Sequence, residues 1–379
     1  MSWEKAKLGN IIKIQKGKAI TKKDSKEGPY PVILGGREPA YYIDQYNHTG
    51  KAIVVSRSGA SAGYISFWNE AIFVTDGFLV EPRENIDIDY LYYLMKSHES
   101  ELMGLQGGAA IPHVTPKIIG EINVCIPDIS MQRKISDILL KYDDSIKNNR
   151  KQIKLLEEVA QRLYKEWFVD LRFPGYENYK IVDGVPDGWT QKKIFDLGEI
   201  ITGKTPSTSK EQYYGGNIPF VKIPDMHDCV FPITTEVSLT NEGANTQKNK
   251  YIPQNGIMVS CIATVGLVNI AIEPCQTNQQ INSIILNNEQ DLYYVYSSMK
   301  RLKELLEGVG SNGATMTNVN KTKFGKLEVV YPNDELRKLY YNYCKPIFEK
   351  IYALSRSIKK LSQARDCLLP KLMSGEIEV

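Results

Sequence analysis

The sequence predicts an α+β protein built twice over, with each α+β domain running into a long amphipathic helix. Three observations carry that prediction: a repeat at each unit's start, a repeat at its end, and a heptad pattern after each copy. Trp3, Leu8, Ile11, Ile14, Gly17 and Lys18 recur as Trp189, Ile194, Leu197, Ile200, Gly203 and Lys204, an offset of 186. Gly108, Ala109, Val114, Gly120 and Pro127 recur as Gly313, Ala314, Val319, Gly325 and Pro332, an offset of 205. Self-similarity at this scale marks duplicated structural units. The difference, 205 − 186 = 19, is a net insertion in the second copy. Most of it lies between Lys204 and Ser260, a span of 56 against 38 for Lys18 to Ser56. The ends of the units are alike and their middles differ, as expected of one scaffold with two variable inserts.

Short apolar stretches bounded by turn residues predict strands at 52–56, 71–75, 218–223, 257–260 and 281–286. Residues 89–97 and 292–306 read as helices. After each domain the period changes. Positions 135, 139, 142, 146, 149, 153, 156, 160, 163 and 167 step by 4 and 3, and the same positions plus 205 repeat the pattern from 340 to 372. This is the spacing of a coiled-coil seam. Thirty-three residues of such helix rise roughly 50 Å. Asn149 and Arg365 are polar seam residues, and Pro346 is expected to kink the second helix or to mark its start. Residues 173–188, rich in Pro and Gly, read as the linker between units. The expected organisation is 1–130 domain, 131–172 helix, 173–188 linker, 189–332 domain and 333–379 helix.

The 379 residues are 42% hydrophobic, 10% aromatic and 24% charged, with mean hydropathy −0.31. These are values of a globular protein, not of a disordered, collagenous or disulfide-scaffold chain. Net charge is 47 − 44 = +3, so no global excess announces a polyanion partner. Residues 1–26, however, hold eight Lys against Glu4 and Asp24, a local +6, leaving −3 for the remainder. Tyr is heavily used, 23 against 10 Phe and 4 Trp, and suits surfaces that are part apolar and part hydrogen-bonding. Six cysteines form no CxxC and four His are scattered, so no zinc site is expected. The N-terminus lacks an apolar signal core, and the longest apolar run, 256–272, falls short of a membrane span. A reduced, cytoplasmic protein is expected.

Enzyme motifs fail on context. Residues 198–205 fit GxxxxGK[ST], yet Glu199, Ile200, Ile201 and Thr202 are strand-like and Pro206 follows Thr205, so no helix opens to cradle phosphate. Residues 308–313 fit GxGxxG but follow a helix, the reverse of the dinucleotide-binding order. None of Asp128, Asp187 or Asp225, each preceded by Pro, has a nearby Asp/Glu-x-Lys partner to hold a catalytic metal. No amino-methyltransferase run (Asn/Asp-Pro-Pro-aromatic) and no nucleophile-base grouping is present.

The doubled order Trp-x4-Leu/Ile, Gly-Lys, Gly-Ala and Pro, followed each time by a long helix, resembles the specificity (S) subunit of type I restriction-modification systems. So do the helix start around Gln132, the run from Leu163 to Phe168 and the run from Leu368 to Ile377. The resemblance covers essentially the whole chain. It implies two α+β target-recognition domains separated by two long helices that form an antiparallel coiled coil, an internal pseudo-two-fold repeat. Each domain would read one half of a bipartite, asymmetric target in double-stranded DNA. The helices would set the spacing and dock two methyltransferase (M) subunits, joined by motor-nuclease (R) subunits, to methylate adenine or cleave DNA. The chain would hold no cofactor and no metal and catalyse nothing; S-adenosylmethionine, ATP and Mg would belong to its partners. A related system whose catalytic subunit combines nuclease and methyltransferase is the alternative, and a P-loop nucleotide hydrolase a remote one. The second helix departs from the pattern at its start, where Arg337 follows Leu336 and the Gln is missing.

Base reading needs polar side chains on loops, Arg and Lys for guanine, Asn and Gln for adenine. The candidates in the first copy are Lys16, Lys18, Lys22, Lys23, Arg37, Arg57, Ser58, Ser61, Tyr64, His113 and Lys117. In the second they are Lys204, Thr205, Ser207, Lys222, Lys248, Lys250, Asn278, Gln279, Gln280, Asn312 and Asn318. Gly59, Gly63, Gly107 and Gly108 are expected to permit tight turns rather than to touch DNA.

Overall fold

The computed structural model describes residues 3–21, 23, 25–104, 113–182, 184–302, 304 and 318–379. The chain divides into two compact units, Met1–Ser145 with Leu361–Val379, and Ile146–Lys360.

In the first unit, β1 (Glu4–Lys7) and β2 (Ile12–Lys16) flank the helical turn Leu8–Ile11. There follow β3 (Tyr30–Ile33), β4 (Tyr41–Ile43), β5 (Lys51–Ser56), β6 (Ile65–Asn69), β7 (Phe73–Val74), β8 (Gly77–Pro82) and β9 (Asn123–Ile126). One antiparallel sheet has the order β2-β8-β5-β6, a smaller one the order β4-β3-β7, and β1 pairs with β9. The β3–β7 pair is parallel. β5 is buried along five consecutive residues because both of its faces are covered. The two-residue period sends Ile53 and Val55 into the main core, with Tyr90, Leu91 and Leu94 of the helix Ile88–Ser97. Ala52 and Val54 face the other way, onto Ile33, Ile72, Val74 and Leu79. Asp87 caps the helix Ile88–Ser97 by accepting from the Tyr90 amide at 3.0 Å.

The second unit opens with β10 (Ile181–Val182) and β11 (Val185–Pro186), a short hairpin inside the expected linker. The linker is packed, not free: the Phe173 ring lies 5.2 Å from Trp189 and 5.1 Å from Tyr179. Then come β12 (Thr190–Lys193), β13 (Gly198–Thr202), β14 (Tyr214–Val221), β15 (Val237–Leu239), β16 (Ile257–Ser260), β17 (Val268–Ile270), β18 (Gln276–Thr277), β19 (Ile281–Leu286) and β20 (Glu328–Tyr331). The sheets are β13-β19-β16-β17, β15-β14-β18 and β12-β20, and β14–β18 is parallel. This is the first unit's topology strand for strand. The registers agree too: Glu4 opposite Ile126 becomes Thr190 opposite Tyr331, and Ile53 opposite Val80 becomes Ile257 opposite Ile284. The offset of β16 from β5 is 257 − 53 = 204, so 18 of the 19 inserted residues precede β16.

The helices Ile129–Phe168 and Asp334–Ser374 each begin in one unit and end in the other. In the first unit, Met131, Ile135 and Leu139 share a core with Leu372 and Met373. In the second, Ala160, Tyr164, Trp167 and Phe168 meet Tyr340, Cys344, Phe348 and Ile351. Within each unit the pairing runs antiparallel. Lys134 reaches the Val379 carbonyl where Asp143 meets Arg365, and Asn149 meets Ser357 where Ala160 meets Tyr340. The two polar seam residues thus have partners: Asn149 donates to the Ser357 hydroxyl at 3.2 Å, and Arg365 pairs with Asp143. Pro346 neither starts nor interrupts the second helix, which runs unbroken through it. Proline forfeits one backbone bond, and Leu336, Tyr340, Cys344, Phe348 and Ile351, buried on both sides of it, hold the helix across that gap.

The departure at the second helix start has a structural counterpart. Gln132 is buried, accepts from the Asp87 amide at 2.9 Å and donates to the Pro127 carbonyl at 3.0 Å. Arg337, 205 residues later, fills the same place: it donates to the Pro332 carbonyl at 3.1 Å and forms a buried ion pair with Asp291. Both side chains pin the helix start to the domain it leaves.

Candidate nucleic-acid interface

In both units some of the candidate residues share one backbone frame: Lys18, Arg57, Ser58 and His113 in the first, and Lys204, Gln280 and Asn318 in the second. In the first, Gly17 donates to the Gly77 carbonyl at 2.9 Å and Lys18 to the Val74 carbonyl at 3.0 Å. Arg57 donates to the Asp76 carbonyl at 3.3 Å, Val114 to the Arg57 carbonyl at 2.9 Å, and Ser58 bridges His113. In the second unit, Gly203 donates to Ile281 at 3.1 Å and Lys204 to Thr277 at 2.9 Å. Cys261 donates to Gln280 at 2.8 Å, Val319 to Cys261 at 2.8 Å, and Ile262 bridges Asn318. The frame is the same bond for bond. It also explains the repeated Gly-Lys: a Cβ on Gly17 would stand 2.5 Å from the Thr75 carbonyl oxygen, and one on Gly203 2.1 Å from that of Asn278. The glycine lies against main chain, and the lysine after it is exposed. Residues 198–202 form β13, so the GxxxxGK[ST] match has no phosphate-cradling turn.

The side chains on the frame differ. The first unit carries Arg57, Ser58, Asp76 and His113 where the second carries Cys261, Ile262, Gln280 and Asn318. In the first, the Asp76 carboxylate accepts the Ser58 hydroxyl and pairs with the Arg57 guanidinium at 3.6 Å. The hairpin loop between β5 and β6 projects beside it, turning on Gly59 (φ 81°) and Gly63 (φ 88°), as expected of those glycines. Tyr64 at the loop's end lies under two cations, Arg37 at 5.4 Å and Lys96 at 4.5 Å from the ring centre. Burial, then the Glu99 carboxylate, raises the Tyr64 phenol above its ordinary range. Lys16, Lys18, Lys23, Arg37 and His113 are exposed, while Arg57, Ser58 and Ser61 are half-buried. Lys117 stands apart, on the helix Pro116–Gly120, which packs against Leu8–Ile11.

The second unit's frame is lined by amides. Gln247 donates to the Lys204 carbonyl at 2.6 Å and to Gln276 at 2.7 Å, and Gln276 donates to the Ala244 carbonyl at 3.0 Å. These buried bonds hold the loop from which Gln279 is exposed, its carbonyl accepting the Thr205 hydroxyl at 2.8 Å. Asn278 is buried and spends its side chain on Gln280, donating at 2.9 Å and accepting the Gln280 amide at 3.1 Å. Lys222 pairs with Glu236 at 2.8 Å and Ser207 bonds Ser209 at 2.9 Å. Lys204, Lys248 and Asn318 are exposed and Lys250 half-buried. Lys22 and Asn312, with Gly107 and Gly108, lie outside the described residues. Asp76, Gln247 and Gln276 were not among the expected residues. Asp76 was findable from its Asp-Gly turn, but the two buried glutamines leave no local signal. Among the described residues, no group of three or more His, Cys, Asp or Glu could hold a metal, and no helix is long and apolar enough to cross a membrane.

Two units with one topology and one frame define a protein of duplicated α+β domains. Residues 1–158 and 186–361 match the family model of the type I restriction modification DNA specificity domain, and the chain belongs to that family. It is 35% identical over 369 residues to the HindI type I restriction enzyme specificity subunit of Haemophilus influenzae, covering 80% of each chain. It is 26% identical to the MjaIX specificity subunit of Methanocaldococcus jannaschii, over 87% of this chain and 78% of that one. Its fold matches the crystal structure of a type I S subunit from M. genitalium with a TM-score of 0.63 at 17% identity, covering 98% of this chain and 96% of the other.

Proposed function

We propose that the chain is the non-catalytic DNA-recognition subunit of a type I restriction-modification complex. Each unit reads one half of a bipartite, asymmetric target, through residues on the frame just described. The observation that carries this reading is the pair of matching backbone frames bearing different side chains. Equal frames present their residues alike, and unequal residues select unequal sequences. The exposed lysines next to the frames, Lys16, Lys18 and Lys204, suit the phosphates flanking those bases.

The long helices set the spacing between half-sites and dock methyltransferase subunits, to which motor-nuclease subunits add. S-adenosylmethionine, ATP and Mg enter with those partners, which methylate adenine or cleave. A groove of about 720 Å³ on the flank of the helices supports docking. It lies between the helices and residues 172–177, and is lined by Val159, Leu163, Trp167, Tyr343 and Ile347 together with the charged Arg162, Glu166, Arg172 and Glu177; both Val159 and Tyr343 are exposed.

The test is a domain exchange. Replacing residues 1–130 with the equivalent domain of another specificity subunit should change one half of the methylated motif and leave the other half intact. A change in both halves would refute the assignment of one unit to one half-site.

A further inference from the structure

Resting on the recognition reading, we propose that Asp76 is a positioning residue that holds Arg57 for guanine, so that only the first unit's half-site contains a guanine read by a guanidinium at this place in the frame. Arg57 is tied to Asp76 twice, by its amide to the Asp76 carbonyl at 3.3 Å and by its guanidinium to one carboxylate oxygen at 3.6 Å. The other carboxylate oxygen takes the Ser58 hydroxyl. That hydroxyl holds the carboxylate, and Asp76 itself sits in the two-residue link between β7 and β8. Beside it Gly35 (φ 56°) would place a Cβ 3.4 Å from the Asp76 carboxylate.

A guanidinium has five N–H donors in a planar fork, and one contact to Asp76 leaves the rest for an outside acceptor pair. Guanine offers such a pair, O6 and N7, on its major-groove edge. Arg57 keeps a side-chain exposure of 32%, so it is both held and reachable. His113 is bridged to Ser58 and exposed at the same mouth. The second unit has removed this device without altering the frame. Cys261 stands for Arg57 and is buried, Ile262 stands for Ser58, and Gln280 stands for Asp76 and turns inward to Asn278. Its exposed reader is the amide Gln279, whose carbonyl is oriented by Thr205.

The experiment is selection of bound duplexes from a randomised DNA library by the full-length chain, followed by sequencing. It compares the original chain with D76N, D76A, R57K and R57A. A bipartite motif from the original chain is expected, and its absence would overturn the recognition reading and this proposal together. Given that motif, one guanine in one half should lose its preference roughly tenfold in D76N, D76A and R57K, and entirely in R57A. The other half should stay sharp. A guanine that survives R57A overturns the role of Arg57. One that R57A erases while both Asp76 variants leave it sharp overturns the role of Asp76. Equal weakening of both halves by the Asp76 variants would make Asp76 a residue of the fold alone, and overturns the proposal too.

Discussion

Replacing Arg337 by alanine should destabilise the second unit far more than replacing Gln132 destabilises the first, although the two residues hold equivalent places. Arg337 and Asp291 are each 3% exposed at the side chain, so solvent screens their charges little. Burial pulls the Arg337 guanidinium below its ordinary value, and the Asp291 carboxylate offsets that loss of hydration. Removing the arginine leaves Asp291 with the Tyr331 hydroxyl at 2.6 Å and a buried charge facing no cation in that pair. Breaking a buried pair from one side costs about 3–5 kcal/mol. Gln132 is neutral, and truncating it strands the Asp87 amide and the Pro127 carbonyl, for about 1–3 kcal/mol. For a unit of this size each kcal/mol lowers the melting temperature by roughly 2–4 °C, so R337A should lose about 6–20 °C. Calorimetry of the full chain with R337A, Q132A and the double variant R337Q/D291N measures it. The double variant removes both charges and should recover most of the loss. Equal melting of R337A and Q132A would refute the argument from buried charge.

Three further outcomes follow from the same structure. Glu157 is raised above the usual carboxylate range, first by burial, so ionising it costs more in the folded chain than in the unfolded one. E157Q should therefore raise the melting temperature at pH 7 and leave it unchanged near pH 3 and below, where both states hold the proton; no gain at pH 7 would refute it. At pH 8 iodoacetamide should label the exposed Cys125 and Cys367, while Cys261, pushed up to about 11 by burial, and Cys344, pushed up to about 12, react only after unfolding, as mass spectrometry would show. Inserting four residues near Arg150 adds on the order of 6 Å of helix and just over one turn, and should lengthen the gap in the methylated motif by one or two base pairs with both half-sites intact. An unchanged gap at full activity would show that the helices do not set it.

The repeat and the long helices were legible because period and spacing are properties of the chain itself. The heptad positions 135, 139, 340 and 344 are buried, and the 186 and 205 offsets reappear as strand registers. The second helix does not begin at Pro346, because the apolar residues packed on both sides of the proline outweigh its local propensity. The usefulness of tyrosine on surfaces was a poor guide as well. Tyr164, Tyr294 and Tyr340 are buried together in the second unit, where Ser298 and Ser297 supply hydroxyl partners for Tyr164 and Tyr340. At the candidate interface, residue type alone proposed Arg57, Thr205 and Gln279. It could not tell the exposed Gln279 from the buried Asn278 beside it, nor find Asp76, whose role depends on Arg57, nineteen residues earlier in the chain.

The first unit is not contiguous in sequence, and that bears on how the protein is made. Its core includes Leu372 and Met373, and Gly375, with φ 75°, lies so close to Trp3 that a Cβ there would stand 2.8 Å from the indole nitrogen. Residues 146–360, a complete unit, are therefore synthesised before the helix end that completes the core of residues 1–145. Domains usually fold in the order of synthesis. Here the later unit can close first, and the earlier one must stay incomplete while more than half of the chain is still to be translated. A chain stopped by a premature codon near residue 360 would carry a finished second unit and an open first one, whose core lacks Leu372 and Met373.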